Sequence, residues 1–194
     1  MTGMNQLTPT ALVIIDHQRG ILRGLGGLRQ PEHDAALDAT TNRIAGLLKK
    51  ARHAGVPVLF VQHDGAIGHR LEPGTEAWEL REEITPLSSE PVIRKRACDS
   101  FFETGLEAEL HRLNAGRIVV AGCMTQYCVD TTVRRAVSLG YDVVLASDGH
   151  MTADSGGLRF EQIIAHHNTL LNGFDAGDHA VAVVKASEIE FLTR

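Results

Sequence analysis

The sequence predicts an α/β fold, a three-layer doubly wound sheet of about six mostly parallel strands with helices on both faces. Two observations support this prediction. Short continuous apolar runs, typical of strands buried on both faces, alternate along the chain with amphipathic stretches of helical period. In addition, most predicted strands end in polar residues, and the carboxyl ends of the strands are where open α/β sheets place their binding sites.

The first half of the chain alternates strand, helix and strand. An apolar run follows the polar start of the chain, and an amphipathic helix that ends before Gly55 connects it to a second apolar run. This βαβ pattern predicts a parallel pair with a right-handed crossover. The predicted elements are a strand at residues 11–15, a glycine-rich loop at 20–30, a helix at 34–53, a strand at 58–61, a short helix at 76–81 and an outer strand at 91–95.

The second half repeats the alternation. A buried strand ends at Gly122, and Thr125 is predicted to cap the helix that follows it. No internal repeat or linker interrupts the pattern, so residues 1–194 are treated as one domain. The predicted elements are a helix at residues 104–113, a strand at 118–121, a helix from 125 through 137, a strand at 142–146, a helix at 157–171, a strand at 180–184 and a short terminal helix at 186–192.

Composition excludes several functional classes. The chain has 194 residues, 43% of them hydrophobic and 22% charged, which is ordinary for a globular protein with a full core. The net charge of −5 and the lack of a basic cluster argue against nucleic-acid binding. No apolar run approaches the ~20 residues of a membrane span. Three cysteines do not form a disulfide framework, so we expect a cytoplasmic protein.

Two strand exits in the first half carry ionisable residues. Asp16 follows the first strand directly, where it is a candidate site residue or simply caps a turn. The loop after it lacks an ordered G-x-G-x-x-G pattern, so no dinucleotide is expected. His63, Asp64 and His69 follow the second strand and include ligand types that metals accept, but the loop is glycine-rich without fixed geometry. We therefore expect no metal and interpret His63 as a cleft wall or a hydrogen-bonded structural histidine.

Cys128 lies in the first turn of a predicted helix, just past a buried strand. Helix starts present free amides and a positive dipole end, which favour a thiolate. The competing interpretation is that Cys128 packs as a small hydrophobic residue. Lys95 ends the third strand, so Asp16, His63, Lys95 and Cys128 meet at one edge of the predicted sheet. A thiol nucleophile, a carboxylate that moves its proton, an ammonium group and backbone amides together suit acyl chemistry.

At this point the residues resemble a known family, the isochorismatase-like cysteine hydrolases, in the metal-free amidohydrolase branch. The resemblance runs from Leu12 to about Phe191. It rests on the following pieces, taken in order: Asp16-x-Gln18 after a strand, Lys95 before Ser100-Phe101, Gly122-x-x-Thr125-x-x-Cys128-Val129, Thr131-Thr132, Ala136 and the exit at Asp148.

The resemblance implies a role for each matching residue. Asp16, Lys95 and Cys128 are expected to form a catalytic triad in which Cys128 attacks a carbonyl carbon and forms a thioester. The family also implies a cis peptide bond between Cys123 and Met124, with the backbone amides of Met124 and Cys128 forming an oxyanion hole. The cis peptide bond does not follow from the residue pattern alone.

Departures from the family narrow the expected substrate. Metal-dependent nicotinamidases have an Asp-x-His after the second strand where this chain has Gln62-His63-Asp64-Gly65, so neither metal nor nicotinamide is carried over. True isochorismatases lack the nucleophilic cysteine that is present here, which favours a small amide, carbamoyl or ureido substrate. The predicted pocket walls are Gln18, His63, Trp78, Phe102 and Tyr127.

Two other interpretations stay open. The main alternative is a binding protein or oligomer that keeps the fold without strong activity, whose Cys128 would alkylate no faster than a free cysteine. A thiol redox enzyme is disfavoured because no C-x-x-C motif is present. As partners we expect a small-molecule substrate and further copies of the same chain, as a dimer or tetramer, but no nucleic acid, membrane or cofactor.

Overall fold

Strands and helices alternate in the computed structural model, which describes residues 8–191. The strands are β1 (Thr10–Ile15), β2 (Val58–His63), β3 (Val92–Lys95), β4 (Arg117–Cys123), β5 (Asp142–Met151), β6 (Asp175–Ala176) and β7 (His179–Val184). The α-helices are α1 (Gln30–His53), α2 (Leu106–Arg112), α3 (Asp130–Ser138) and α4 (Phe160–Leu171). A π-helical turn at Thr125–Val129 precedes α3, and short 3₁₀ turns lie at Gly27–Arg29, Glu76–Trp78 and Glu82–Ile84.

The sheet is doubly wound about its centre. Its strand order is β3-β2-β1-β4-β5-β7-β6, and every pair is parallel except β6 with β7. The chain leaves β1 toward one edge and leaves β4 toward the other. The topological switch point therefore lies between β1 and β4, which are hydrogen-bonded neighbours, and their carboxyl ends are the expected place for a site.

Alternate residues of the central strands pack against different helices, which makes three layers. Val13, Ile15, Ile118 and Val120 face a core shared with α2 and α3. The neighbouring positions Leu12, Ile14, Val119 and Ala121 face the opposite core, which is shared with α1. Because both faces of β1 and β4 are covered, these strands are continuous apolar runs rather than alternating ones. The predicted fold class is confirmed.

The structure corrects the strand count and several boundaries. It has seven strands rather than six, because the two-residue β6 pairs with β7 in antiparallel fashion. Helix α1 begins at Gln30, with Pro31 in its first turn, where proline is tolerated. Helix α4 begins at Phe160 rather than residue 157, because Gly156 and Gly157 have φ values of 59° and 80° and form a turn.

Further corrections concern short elements. The predicted helix at residues 76–81 is reduced to the 3₁₀ turn Glu76–Trp78, and β5 continues beyond residue 146 to Met151. The predicted terminal helix at residues 186–192 is wrong over its described part. There Ala186 and Ile189 pack into the α1-side core from non-helical backbone. Leu192 lies outside the described residues. None of the helices in residues 8–191 is long and apolar enough to cross a membrane.

Candidate active site

Asp16 is placed at the switch point by an unusual backbone. It directly follows β1 and has a φ of 46°, a left-handed conformation that costs energy for any residue except glycine but is less costly for Asp than for most. Its amide donates to the Val61 carbonyl of the neighbouring strand. The side chain is fully buried, so the carboxyl group lies inside the protein, at the carboxyl end of the central strand.

Lys95 brings its ammonium group to Asp16 from two strands away. Its Nζ lies 2.6 Å from Asp16 Oδ2 and 3.1 Å from Cys128 Sγ, and it donates to the Ala97 carbonyl at 2.8 Å. The contacts with Ala97 and Cys128 are hydrogen bonds, and the contact with Asp16 is an ion pair. Lys95 is itself buried, so its position is defined by these contacts rather than by solvent. The three residues of the predicted triad are therefore in contact.

The charges of the three groups are interdependent. Burial works to lower the pKa of Lys95, but Asp16 and Cys128 together raise it above its ordinary value. Burial raises the pKa of Asp16, and the opposing effects of Lys95 and of a hydrogen bond with Cys128 are not enough to cancel it. Burial and the Asp16 charge also raise the pKa of the Cys128 thiol, against the pull of Lys95. The single ammonium group can therefore compensate one negative charge, which is carried by either Asp16 or Cys128.

The turn that carries Cys128 begins at a close approach of two strands. Gly122, with a φ of 128°, pairs with Ile15, and a Cβ at this position would overlap the Ile15 backbone. The peptide bond between Cys123 and Met124 is cis. The prediction that the strand ends at Gly122 is wrong by one residue, since β4 runs through Cys123. Only glycine lets β4 lie this close to β1.

Thr125 does not cap the helix, which corrects a prediction. No side chain caps the start of the π-helical turn. The Thr125 hydroxyl instead lies 2.9 Å from Nδ1 of His150, a buried residue near the end of β5. The next residue, Gln126, accepts a hydrogen bond of 2.6 Å from the Thr152 hydroxyl. Two side-chain hydrogen bonds therefore attach the turn to the end of β5 and to the residue that follows it. No capping side chain uses the amides of the turn.

Cys123 lies just before the same turn, and its sulfur faces a histidine rather than Lys95. Its Sγ is 3.6 Å from His17 Nδ1, and His17 Nε2 is 2.8 Å from the Thr41 hydroxyl. Because that hydroxyl donates to the Leu37 carbonyl, it accepts from His17, which leaves Nδ1 to accept from the thiol. Burial lowers the pKa of His17 to about 3, so the ring is neutral.

The polar groups of the Gln18 and Trp78 side chains are used in hydrogen bonds within the protein. The Gln18 amide donates to the carbonyls of His63 and Trp78 at 3.0 and 2.7 Å and accepts from the His63 amide at 3.0 Å. The Trp78 indole donates to Asp64 at 3.0 Å, and the Arg94 guanidinium stacks 4.1 Å from its ring centre. Substrate contact by Gln18 or Trp78 stays a prediction.

The other predicted pocket walls differ in burial. His63 is half-buried, and burial, followed by the charge of Lys95, lowers its pKa to about 4. Its ring nitrogen Nδ1 is buried, and no hydrogen-bond partner for it is found within the described part of the chain. Phe102 and Tyr127 are 56% and 46% exposed, so both side chains lie at the surface. Among the residues described, no three His, Cys, Asp or Glu side chains are grouped to hold a metal.

Arg70 belongs to this site although the sequence offered no reason to select it. Its Nε donates to the Ile21 carbonyl at 3.0 Å, and Nη2 lies 3.8 Å from the Met124 sulfur. It is close enough for its charge to interact with Cys128, while burial lowers its pKa. Within residues 8–191 it forms no ion pair with a carboxylate. Among these described residues, the candidate site therefore has a second cation that is not paired with a carboxylate.

His150 is the other residue that sequence analysis left without a role. Its position at a strand exit was a usable signal, because β5 ends beside the turn that carries Cys128. Arg70 offered no such signal, since it lies in a loop whose path is set by tertiary contacts. The loop after β3 is attached to α3, because the Ser100 amide donates to Thr132 Oγ1 at 3.1 Å.

Comparison with known families gives a consistent match. The model of the Isochorismatase domain matches residues 10–165. The chain is 36% identical over 183 residues to the uncharacterised isochorismatase family protein YddQ of Bacillus subtilis, which covers 92% of this chain and 97% of that protein. It is 39% identical over 144 residues to a streptothricin hydrolase of Streptomyces noursei, and this match covers 74% of this chain but only 50% of that protein.

A solved structure agrees with the sequence matches. The crystal structure of an isochorismatase from Pseudomonas putida superposes with a TM-score of 0.83 at 30% sequence identity. The superposition covers 97% of this chain and 94% of that one. The similarity therefore extends over the whole sheet and includes both sides of the switch point.

Proposed function

Because the chain belongs to the isochorismatase family of hydrolases, we propose that it is a cysteine hydrolase that cleaves a C–N bond of a small molecule through a thioester on Cys128. The observation that carries the proposal is the contact of Lys95 with both Asp16 and Cys128, at 2.6 and 3.1 Å. Burying an ammonium group costs free energy unless neighbouring groups compensate its charge, and here the carboxyl group and the thiol are those neighbours. Of the relatives described above, the streptothricin hydrolase supports a hydrolytic reaction.

The first half of the reaction forms the thioester. Asp16 accepts the Cys128 thiol proton as sulfur bonds to the substrate carbonyl carbon, and the negative charge moves to the carbonyl oxygen. The backbone amides of Met124 and Cys128 bind this oxygen. Collapse of the intermediate breaks the C–N bond, and the leaving amine takes the proton from Asp16.

The second half releases the acid. Water attacks the thioester carbon while Asp16 accepts a proton from it. When the tetrahedral intermediate collapses, the C–S bond breaks and Asp16 returns the proton to the thiolate. Lys95 stays protonated throughout, because its raised pKa keeps it charged at neutral pH. Its charge compensates whichever of Asp16 and Cys128 is ionised, so the proton can move between them at low cost.

The charge around the nucleophile favours a neutral or acidic substrate. Asp64 is neutralised by Arg94, and Asp16 is paired with Lys95. Arg70 is the cation that remains, and it lies beside Met124, whose amide belongs to the proposed oxyanion hole. A guanidinium group at this place would bind a carboxylate of the substrate. We therefore expect small amides, carbamoyl compounds or ureides, with a preference for those that carry a carboxylate.

The test is release of ammonia or amine from a panel of such compounds, with EDTA present. We expect release to survive EDTA and to fall by on the order of 10⁴-fold or more in Cys128→Ala, because the nucleophile is lost. Cys123→Ala is the matched control, since it removes a buried thiol from the same turn and should retain activity within a few-fold. Mass spectrometry of a rapid quench should show the acyl group on Cys128.

Two outcomes would contradict the proposal. Full activity in Cys128→Ala would exclude the thioester mechanism. Silence of the folded wild-type protein across the whole panel would exclude C–N hydrolysis of this substrate class, and would favour the alternative of a binding protein of the same fold.

A further inference from the structure

His150 links three separate elements although it lies outside the Asp16–Lys95–Cys128 contact. It is buried near the end of β5, where β5 resumes pairing with β4 beyond an irregularity. Nδ1 lies 2.9 Å from the Thr125 hydroxyl and Nε2 lies 2.9 Å from Asn168 Oδ1 on α4. Asn168 Nδ2 in turn donates to the Ser147 carbonyl at 2.9 Å. The relay connects the Cys128 turn to α4 through one imidazole ring.

The protons of this relay have one consistent arrangement. The Asn168 amide nitrogen is committed to Ser147, so Oδ1 is the atom that faces the ring and it accepts from Nε2–H. The other ring nitrogen, Nδ1, is then an acceptor, and the Thr125 hydroxyl donates to it. Burial lowers the pKa of His150 to about 4, which agrees with a neutral ring of one tautomer.

This arrangement changes what Thr125 does. A threonine at the start of a helix ordinarily accepts a hydrogen bond from an amide of the first turn, which stabilises the helix by about 1 kcal/mol. Here the hydroxyl is turned toward β5, and no side chain caps the turn. The Tyr127 and Val129 amides donate to the Met124 carbonyl, no side chain takes up the other amides at the start of the turn, and the residue next to Met124 is held by His150.

We propose that His150 is a positioning residue for the oxyanion hole: through the Thr125 hydroxyl it fixes the turn that presents the Met124 and Cys128 amides. The inference rests on the proposed function, because it assigns those amides to the oxyanion. His150 touches neither Cys128 nor a reacting atom. It acts by holding the Thr125 side chain toward β5, where its hydroxyl does not cap these amides.

Two substitutions of His150 separate this role from simple packing. In His150→Asn the side-chain oxygen takes the place of Nδ1, so Thr125 keeps an acceptor. In His150→Gln the amide reaches the place of Nε2, so Asn168 keeps a donor while Thr125 loses its acceptor. We expect His150→Asn to stay within a few-fold of wild type and His150→Gln to lose about 100-fold in kcat at unchanged KM, since small misplacements of catalytic groups have effects of this size.

The Thr125 hydroxyl supplies the second arm of the test. In a Thr125→Val background the difference between His150→Asn and His150→Gln should disappear, because the group that distinguishes them is gone. Thermal unfolding of each variant checks that it is folded. Equal loss of kcat in both folded His150 variants, or an Asn–Gln difference that persists in the Thr125→Val background, overturns the proposal.

A binding measurement that does not depend on amide hydrolysis tests the role of His150 separately from the proposed function. A small aldehyde such as propanal adds to a thiol: the C–S bond forms, and the thiol proton ends on the new hydroxyl oxygen. The Cys128 adduct places that oxygen in the proposed oxyanion hole, and carbon-13 NMR of labelled propanal measures its affinity. We expect about 100-fold weaker adduct formation in His150→Gln than in wild type or His150→Asn.

The outcomes are distinguishable. Adduct formation in a wild-type protein that hydrolyses no compound of the panel would overturn the proposed function while the His150 comparison still decides the inference. Absence of any Cys128 adduct in the wild type, or equal affinity in all His150 variants, would overturn the inference itself.

Discussion

Cys123 and Cys128 stand at the two ends of one turn, and their comparison shows how two buried thiols of one segment come to have different surroundings. Both are buried, and burial raises the pKa of both. Cys123 is 0% exposed and faces the neutral His17, whereas Cys128 is 9% exposed and contacts Lys95. Position near a helix start is common to both. What separates them is a cation at hydrogen-bond distance that also contacts a carboxyl group, and a small exposed fraction of the side chain.

The largest expected effect comes from making Cys128 resemble Cys123. Lys95→Met removes the cation, so turnover should fall by on the order of 10³-fold and Cys128 should alkylate as slowly with iodoacetamide as Cys123 does. The unpaired buried Asp16 should lower the free energy of unfolding by about 3–5 kcal/mol. Turnover assays, mass spectrometry of the labelled cysteines and urea unfolding measure the three effects.

A double variant sharpens this prediction. Asp16→Asn combined with Lys95→Met removes both charges, so much of the stability should return while activity stays lost. Recovery of activity in the double variant would show that the pair serves stability alone and that Cys128 needs neither partner.

The second prediction concerns the histidine beside Cys123. The folded pKa of His17 is about 3, below the 6.5 of an exposed histidine, so between these values the unfolded chain binds a proton that the folded chain does not. Stability contributed by neutral His17 is therefore complete above about pH 6.5 and is lost as pH falls toward 3. Between pH 7 and pH 5 the loss should be about 2 kcal/mol.

His17→Asn is the control for this titration. It keeps an acceptor near Nδ1 for the Cys123 thiol but cannot be protonated. Urea unfolding at pH 7 and pH 5 should show the wild type losing about 2 kcal/mol more than the variant, with the other histidines cancelling in the difference. Equal losses in the two proteins would mean that His17 is already protonated or solvated in the fold.

The smallest expected effect concerns the second cation on the Cys128 side. Arg70→Gln should lower kcat/KM by about 10-fold for amides that carry a carboxylate, because a charge-assisted hydrogen bond is lost, and should leave neutral amides nearly unchanged. Steady-state kinetics on matched pairs of amides, alike except for the carboxylate, provide the measurement. An equal loss on both members of each pair would place Arg70 in the support of the Met124 region instead.

Sequence analysis could bring residues of the candidate site together because they lie at strand ends. Asp16 and Lys95 each follow or end a strand, and strand ends of a parallel sheet meet at one edge. Thr125 shows where such reasoning fails. A threonine at a helix start is normally a cap, but here a buried acceptor from β5 takes its hydroxyl instead. The hydrogen bond with His150, 25 residues away in the chain, therefore overrides the local preference of Thr125 for capping the helix.

By itself, the sequence determined the alternation of strands and helices, the burial of β1 and β4 on both faces and the polar residues at the ends of β1, β2 and β3. These properties are local, because side-chain period and strand length are read within a few residues. The tertiary structure alone decided that β1 lies beside β4, that Lys95 lies between Asp16 and Cys128, and that Arg70 and His150 join the site. Each of these facts depends on groups distant in the chain meeting in a closely packed interior, where side-chain direction is set by all neighbours together.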